Sequence, residues 1–254
     1  MSDPLSLSGQ TAIVTGGTRG LGKDIAAILA RAGASVWVCG RSKPGDLPDN
    51  LTFFACDVRD SDQAKALVDA AAAETGRIDI IVNNAGGSPP ADAATASARF
   101  SDAIIKLNLM APLFMAQAAH PHMAAQKSGL IVNIASVAGI RPSPGTAAYG
   151  AAKAGLLSLT QSLAQEWGPA GIRVNAIIVG LAETENAAQT YGDAAAQAKV
   201  AASLPLGRMC RGEDVGNAVL YLASSLALYV SGAQLEVSGG GERPHFLDLV
   251  KGGA

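Results

Sequence analysis

Short runs of β-branched and other apolar residues alternate along this chain with longer Ala- and Leu-rich segments, and no other feature constrains the fold as strongly. Residues 11–15, 35–39, 51–55, 78–82, 130–135, 172–179 and 234–237 read as strands. Helices are expected at about 20–32, 60–75, 100–126, 148–167 and 214–224, with Gly33 and Gly76 as stops after the first two. Continuously apolar strands that alternate with helices imply a parallel sheet covered on both faces. The expected fold class is therefore α/β, a single doubly wound parallel sheet with helices on both faces. No linker-like composition break and no internal repeat divides the chain, so residues 1–254 are expected to form one domain. Ligands of such sheets bind beyond the carboxyl ends of the strands, where the strand order reverses. The residues just after each strand are the ones to read for chemistry.

Composition narrows the partners. Lys plus Arg is 19 and Asp plus Glu is 21, a formal net charge of -2, which argues against a general nucleic-acid binder. With 49% hydrophobic and 16% charged residues the chain is not disordered. Soluble domains average about 25% charged. The shortfall points to a large core, a buried sheet or a subunit interface. No run of about 18 apolar residues suggests a membrane span. Met1-Ser2-Asp3-Pro4 lacks the basic start and apolar core of a secretory signal. Cys39, Cys56 and Cys210 are odd in number, far apart in sequence and without metal spacing, so they read as free thiols in a reducing cytoplasm.

The first strand runs into Thr15-Gly16-Gly17-Thr18-Arg19-Gly20-Leu21-Gly22. A glycine-rich turn between strand and helix lets backbone approach a pyrophosphate, and the helix N-terminus supplies N–H donors. The spacing is G-x-x-x-G-x-G rather than G-x-G-x-x-G. Later come Asn83-Asn84-Ala85-Gly86 after the fourth strand, Ser136 after the fifth, and Tyr149-x-x-x-Lys153 on the following helix. Together, in this order, these motifs resemble those of the short-chain dehydrogenase/reductase family, over about residues 7–240. The resemblance implies a Rossmann-type dinucleotide-binding domain.

An acidic residue at the end of the second strand would bind a ribose 2′-hydroxyl, whereas Arg there accommodates a 2′-phosphate. That place is held by Gly40, and Arg41 follows. Arg19 in the glycine turn adds a second guanidinium able to make charge-assisted bonds to phosphate. This pairing is similar to that of NADP(H)-preferring members, so NADP(H) is expected rather than NAD(H). The resemblance also implies cofactor contacts from Gly16, Thr18, Gly20, Leu21, Gly22, Asp57, Val58, Asn84, Ala85, Gly86, Gly180 and Thr184.

Tyr149 and Lys153 share one helix face. A free phenol titrates near 10, and a neighbouring ammonium together with a nicotinamide ring charge would lower it. By resemblance, Tyr149 is the general acid/base, Ser136 orients the substrate oxygen, and Lys153 also binds the nicotinamide ribose. Asn108 resembles the fourth member of the catalytic set, and an Asn inside a helix needs a reason to be there. No metal is expected, since His120 and His122 with Pro121 between them do not share a helix face.

The chain departs from the family in two places. Val179 stands where a Pro usually precedes Gly180, and Val237-Ser238 stands where Asp often precedes the Gly239-Gly240 pair. Residues 183–205 occupy the place of a substrate lid, with Tyr191 as its aromatic residue. Arg141 reads as a surface or structural residue more readily than as an anion anchor. The expected activity is NADP(H)-dependent reduction of a ketone or aldehyde, or oxidation of the alcohol, by a cytoplasmic homotetramer or homodimer that needs neither nucleic acid nor membrane. Two alternatives stand: an NAD-dependent alcohol or hydroxysteroid-like dehydrogenase, and an inactive dinucleotide-binding regulator. A sugar epimerase or dehydratase would need a larger C-terminal region.

Overall fold

The computed structural model describes residues 3–185, 187–244 and 246. Asn186 within the expected lid, and both extremes of the expected domain, lie outside the described residues.

Seven strands form one sheet: β1 (Thr11–Thr15), β2 (Ser35–Gly40), β3 (Leu51–Ala55), β4 (Ile80–Asn83), β5 (Gly129–Ser136), β6 (Ile172–Val179) and β7 (Gln234–Val237). Their order is β3-β2-β1-β4-β5-β6-β7 and every pairing is parallel. The chain runs outward from β1 to β3, then restarts at β4 on the other side of β1. This reversal opens the crevice beyond the ends of β1 and β4.

The period of two along each strand sorts residues to opposite faces. Ile13, Ile81, Ile131 and Val174 lie in register across four strands and pack on one side with Leu67, Met115 and Met123. These last three come from α2 (Ser61–Thr75) and α4 (Ala111–Gln126). Val14, Val82 and Val132 face the other side, against Ile25 and Leu29 of α1 (Gly20–Arg31) and Val215 and Val219 of α8 (Gly212–Ala223). Burying each of these side chains fully contributes about 1.5–3 kcal/mol.

Three details differ from the sequence expectation. The fourth strand starts at Ile80 rather than at 78, because the Asp79 carboxylate turns to cap the Thr11 N–H at 2.8 Å and to pair with Arg77. The long helix of 100–126 is three pieces: α3 (Ala98–Ile105), a π-helical turn (Lys106–Met110) and α4. Pro112 has no N–H to give the Asn108 carbonyl, so the α-helical register cannot run through. The segment expected as a lid is largely helical, with α6 (Ala187–Tyr191) and α7 (Ala194–Ser203), the latter capped by Asp193 accepting the Ala196 N–H at 2.9 Å. Its Ala-rich composition suits helix, but no wide apolar stripe announces it, and α7 buries none of its residues. α5 (Ala147–Trp167) completes the framework. No helix among the described residues is long and apolar enough to cross a membrane.

Candidate active site

The crevice begins at Thr15. Its hydroxyl donates to the Val82 carbonyl (3.3 Å) and accepts the Asn84 and Ala85 N–H groups (3.0 Å each). The Asn84 amide donates to the Thr15 and Gly16 carbonyls at 3.0 and 3.3 Å. The ends of β1 and β4 are thus sewn together by Thr15, which opens the glycine-rich motif but was given no role of its own, and by Asn84, which was expected to contact the cofactor.

Gly16 and Gly20 have φ of +63° and +52°, the left-handed region that favours glycine. A Cβ on Gly17 would lie 2.6 Å from Val38 Cγ1, and one on Gly22 would run into the Gly16 carbonyl and the Asn84 amide. The turn therefore lies close against β2 and β4 and leaves its outer side open. Arg19 caps α1 from extended backbone without a side-chain bond, and the first turn of α1 carries no acidic residue. Its Gly20 N–H meets a carboxylate from the expected lid segment, Glu185 Oε1, at 3.3 Å. An anion already favours this helix end, as pyrophosphate oxygens would.

Gly40 ends β2 beneath Thr18, whose Oγ1 would be 3.4 Å from an added Cβ. Arg19 and Arg41 are both exposed, and the Arg41 charge helps the Arg59 bonds hold Asp57 below the usual carboxylate range. Asp57 is held bidentately by Arg59, at 2.9 and 2.6 Å, at the end of β3, and Val58 beside it is buried. Cys39 and Cys56, far apart in sequence, are neighbours there; the Cys56 thiol and burial hold the Cys39 thiol well above its usual value. On the far side of the crevice the Gly180 N–H bonds the Val237 carbonyl at 3.0 Å, and Gly180 packs so closely on Ser238 that a Cβ would approach its Cα to 2.8 Å. Val179, in the place of the family's Pro, is buried and pairs with both Ser136 and Val237. The sheet, rather than a proline ring, sets the direction of this turn. Thr184 follows, accepting the Ala187 N–H at 2.8 Å and so opening α6.

Ser136, Tyr149, Lys153 and Asn108 converge at the ends of β4 and β5. The Ser136 hydroxyl accepts the Ala138 N–H at 3.2 Å and lies close enough to the Tyr149 phenol to act on its ionisation. Lys153, one turn after Tyr149, is 3% exposed; its Nζ donates to the Ile134 carbonyl at 2.7 Å and lies 5.6 Å from the Tyr149 ring centroid. Asn108, fully buried in the π turn, accepts the Gly87 N–H (2.8 Å) and donates to the Gly87 and Ile104 carbonyls (3.0 and 2.9 Å). A Cβ on Gly86 would lie 2.7 Å from Asn108 Oδ1 and 3.3 Å from Lys153 Nζ. The Asn84–Gly87 segment is thereby pinned at both ends, by Thr15 and by Asn108.

Electrostatics differ from the simple expectation of a lowered phenol. Burial pushes the Tyr149 phenol above its usual value, the nearby Tyr191 adds to this, and the Ser136 hydroxyl works against it. The lysine moves instead: burial lowers its pKa to about 8. The site is a phenol and a neighbouring hydroxyl, beside a buried amine that gains or loses its charge near neutral pH. A carbonyl or alcohol oxygen can be held by such a pair and exchange a proton with the phenol.

The His pair has separate uses: His120 packs on Trp167 (ring centroids 4.7 Å apart) and His122 meets Asp69 at 3.4 Å. Among the described residues no group of three or more His, Cys, Asp or Glu side chains is arranged to hold a metal ion.

Residues 16–242 match the family model described as enoyl-(acyl carrier protein) reductase. The 4-formylbenzenesulfonate dehydrogenase TsaC1/TsaC2 of Comamonas testosteroni is 38% identical over 251 residues, covering 93% of this chain and 99% of that protein. The 3-oxoacyl-[acyl-carrier-protein] reductase FabG of Thermotoga maritima is 34% identical over 245 residues, covering 93% and 99%. Among solved structures, a putative short-chain alcohol dehydrogenase from Sinorhizobium meliloti superposes with a TM-score of 0.86 at 35% identity, covering 94% of this chain and 98% of that one.

Proposed function

The chain belongs to the short-chain dehydrogenase/reductase family, oxidoreductases that act on alcohol and carbonyl substrates with a nicotinamide dinucleotide, and on that premise we propose that it is an NADP(H)-dependent enzyme that reduces a small ketone or aldehyde, or oxidises the alcohol, with Tyr149 as general acid/base. The observation that carries this reading is the buried Lys153 amine, 3% exposed, with its Nζ 5.6 Å from the Tyr149 ring centroid and beside Ser136 at the end of β5.

The glycine cradle suits the dinucleotide: its outer side is open, and the α1 N-terminus already accepts a carboxylate. Gly16, Thr18, Gly20, Leu21 and Gly22 would hold the pyrophosphate, and Asp57 and Val58 the adenine. Ala85, Gly86, Gly180 and Thr184 would line the nicotinamide end, and Lys153 would bind the ribose. When bound, the cofactor supplies or takes up the hydride. Ser136 donates to the substrate oxygen and fixes its position. Tyr149 gives that oxygen a proton in reduction and takes it back in oxidation. Lys153, when charged, stabilises the phenolate left behind. Asn108 and Thr15 hold the Asn84–Gly87 segment against this set.

Gly40, with Arg19 and Arg41 at the open edge, supports NADP(H): the end of β2 carries no carboxylate to repel a 2′-phosphate, and two guanidinium forks can approach it. The test is kcat/KM with both cofactors. A clear preference for NADPH is expected, and a preference for NADH would favour the NAD-dependent alternative. We take the whole chain as one domain with 183–205 as its lid, working in the cytoplasm as a homotetramer. The exposed Leu226, Leu228 and Tyr229 offer an apolar surface for subunit contact, and light scattering would give the assembly.

A further inference from the structure

Arg141 lies just beyond the turn that follows Ser136, and its backbone N–H bonds the Val137 carbonyl at 3.1 Å. Its guanidinium pairs with Glu242 of the C-terminal segment. The same two charges act on the Tyr191 phenol of the lid, which burial pushes up first of all, and Tyr191 in turn acts on Tyr149. The ion pair therefore stands where the loop after β5, the lid and the C-terminal segment meet, at the rim of the Ser136–Tyr149 site.

Two properties make this pair exchangeable. Its side chains are 40% and 34% exposed, and an ion pair so open to water contributes only about 0–1 kcal/mol. Glu242 also follows three glycines in succession, Gly239, Gly240 and Gly241, with φ of +65°, +95° and +75°. Glycine backbone of this kind lets the segment swing with little steric resistance. An arginine fork freed from its carboxylate is a bidentate receptor for another planar oxyanion.

We propose that Arg141 is a specificity-determining residue that binds a carboxylate on the substrate, and that Glu242 holds this place until the substrate displaces it. The substrate class is then a carbonyl or alcohol compound bearing a carboxylate at its far end. The inference rests on reading Ser136 and Tyr149 as the reacting centre. A neutral substrate leaves the Arg141–Glu242 pair closed, whereas an anionic one exchanges one carboxylate for another and keeps the arginine neutralised.

The test is titration calorimetry on the cofactor-saturated protein with 4-methylbenzoate and the uncharged 4-methylbenzamide. Wild type is expected to bind the carboxylate about tenfold more tightly, the scale of one charge-assisted hydrogen bond. Arg141→Gln should bring the ratio close to one. Glu242→Gln, which removes only the competitor, should tighten the carboxylate several-fold and leave the amide unchanged. Equal affinity in wild type, including no binding of either, or a ratio that neither variant moves, overturns the proposal. Turnover of 4-formylbenzoate and of its methyl ester separates the two readings. Equal rates on both that Arg141→Gln does not change would sink the role of Arg141 and leave the oxidoreductase standing. Arg141-dependent binding without turnover of any carbonyl compound would do the reverse.

Discussion

Asn108 grips Gly87 by both of its backbone groups, accepting the N–H at 2.8 Å and donating to the carbonyl at 3.0 Å. The grip exists because the π turn at Lys106–Met110 aims a fully buried amide at the loop after β4. Asn108→Ala would remove three hydrogen bonds and leave the Gly87 groups to solvent, at a cost of about 1–3 kcal/mol. Urea denaturation should show the lower midpoint, and kcat should fall more than the cofactor affinity.

Gly86→Ala should be selective in the opposite sense. The new methyl would meet Asn108 Oδ1 and Lys153 Nζ at 2.7 and 3.3 Å, both inside the site. Displacing them by a fraction of an ångström should lower kcat by about 10²-fold while the circular dichroism spectrum stays that of wild type.

Lys153 makes both stability and activity pH-dependent. Its folded-state pKa is about 8, below the ordinary lysine value of 10.5, so the folded protein releases this proton before the unfolded chain does. The charged form is penalised below pH about 8, and the penalty disappears as pH rises toward 10.5. Lys153→Met should therefore stabilise the fold at pH 7 by up to about 3 kcal/mol, with the gain gone above pH 10.5, while turnover is lost. In wild type, reduction should decline as pH rises through about 8, because the ammonium that stabilises the phenolate is neutralised. Oxidation, which needs the phenol deprotonated, should rise with pH. Denaturation and initial rates at pH 6 to 10.5 check both.

On the proposed function, the 183–205 segment and the cofactor would compete for one helix end. Glu185 accepts the Gly20 N–H at 3.3 Å where a pyrophosphate would sit. Glu185→Gln should tighten NADPH binding several-fold in fluorescence titration. Arg41→Ala should weaken NADPH, mainly through KM, and leave NADH unchanged.

The framework of this protein was legible because its strands are uniformly apolar and its helices end at glycines such as Gly33 and Gly76. The strand bounds shifted at β4, where Asp79 serves as a side-chain cap, a tertiary use that no periodicity carries. The candidate site was legible where residue types and spacing stand out: Asn108 inside a helix, Tyr149 and Lys153 four apart on one helix face, glycines after a strand. The role of Thr15 was not, because a threonine ending a strand is unremarkable until β4 comes beside it. Arg141 and Glu242 stand 101 residues apart in the chain. Only the fold brings them to one rim.

The central claim is that Tyr149 exchanges the proton. Tyr149→Phe removes one oxygen and keeps the ring beside Lys153. With NADPH and a reducible aldehyde or ketone, turnover should fall by about 10²–10⁴-fold, while the dissociation constant of NADPH stays within about twofold of wild type. Near-normal turnover in that variant would contradict the account.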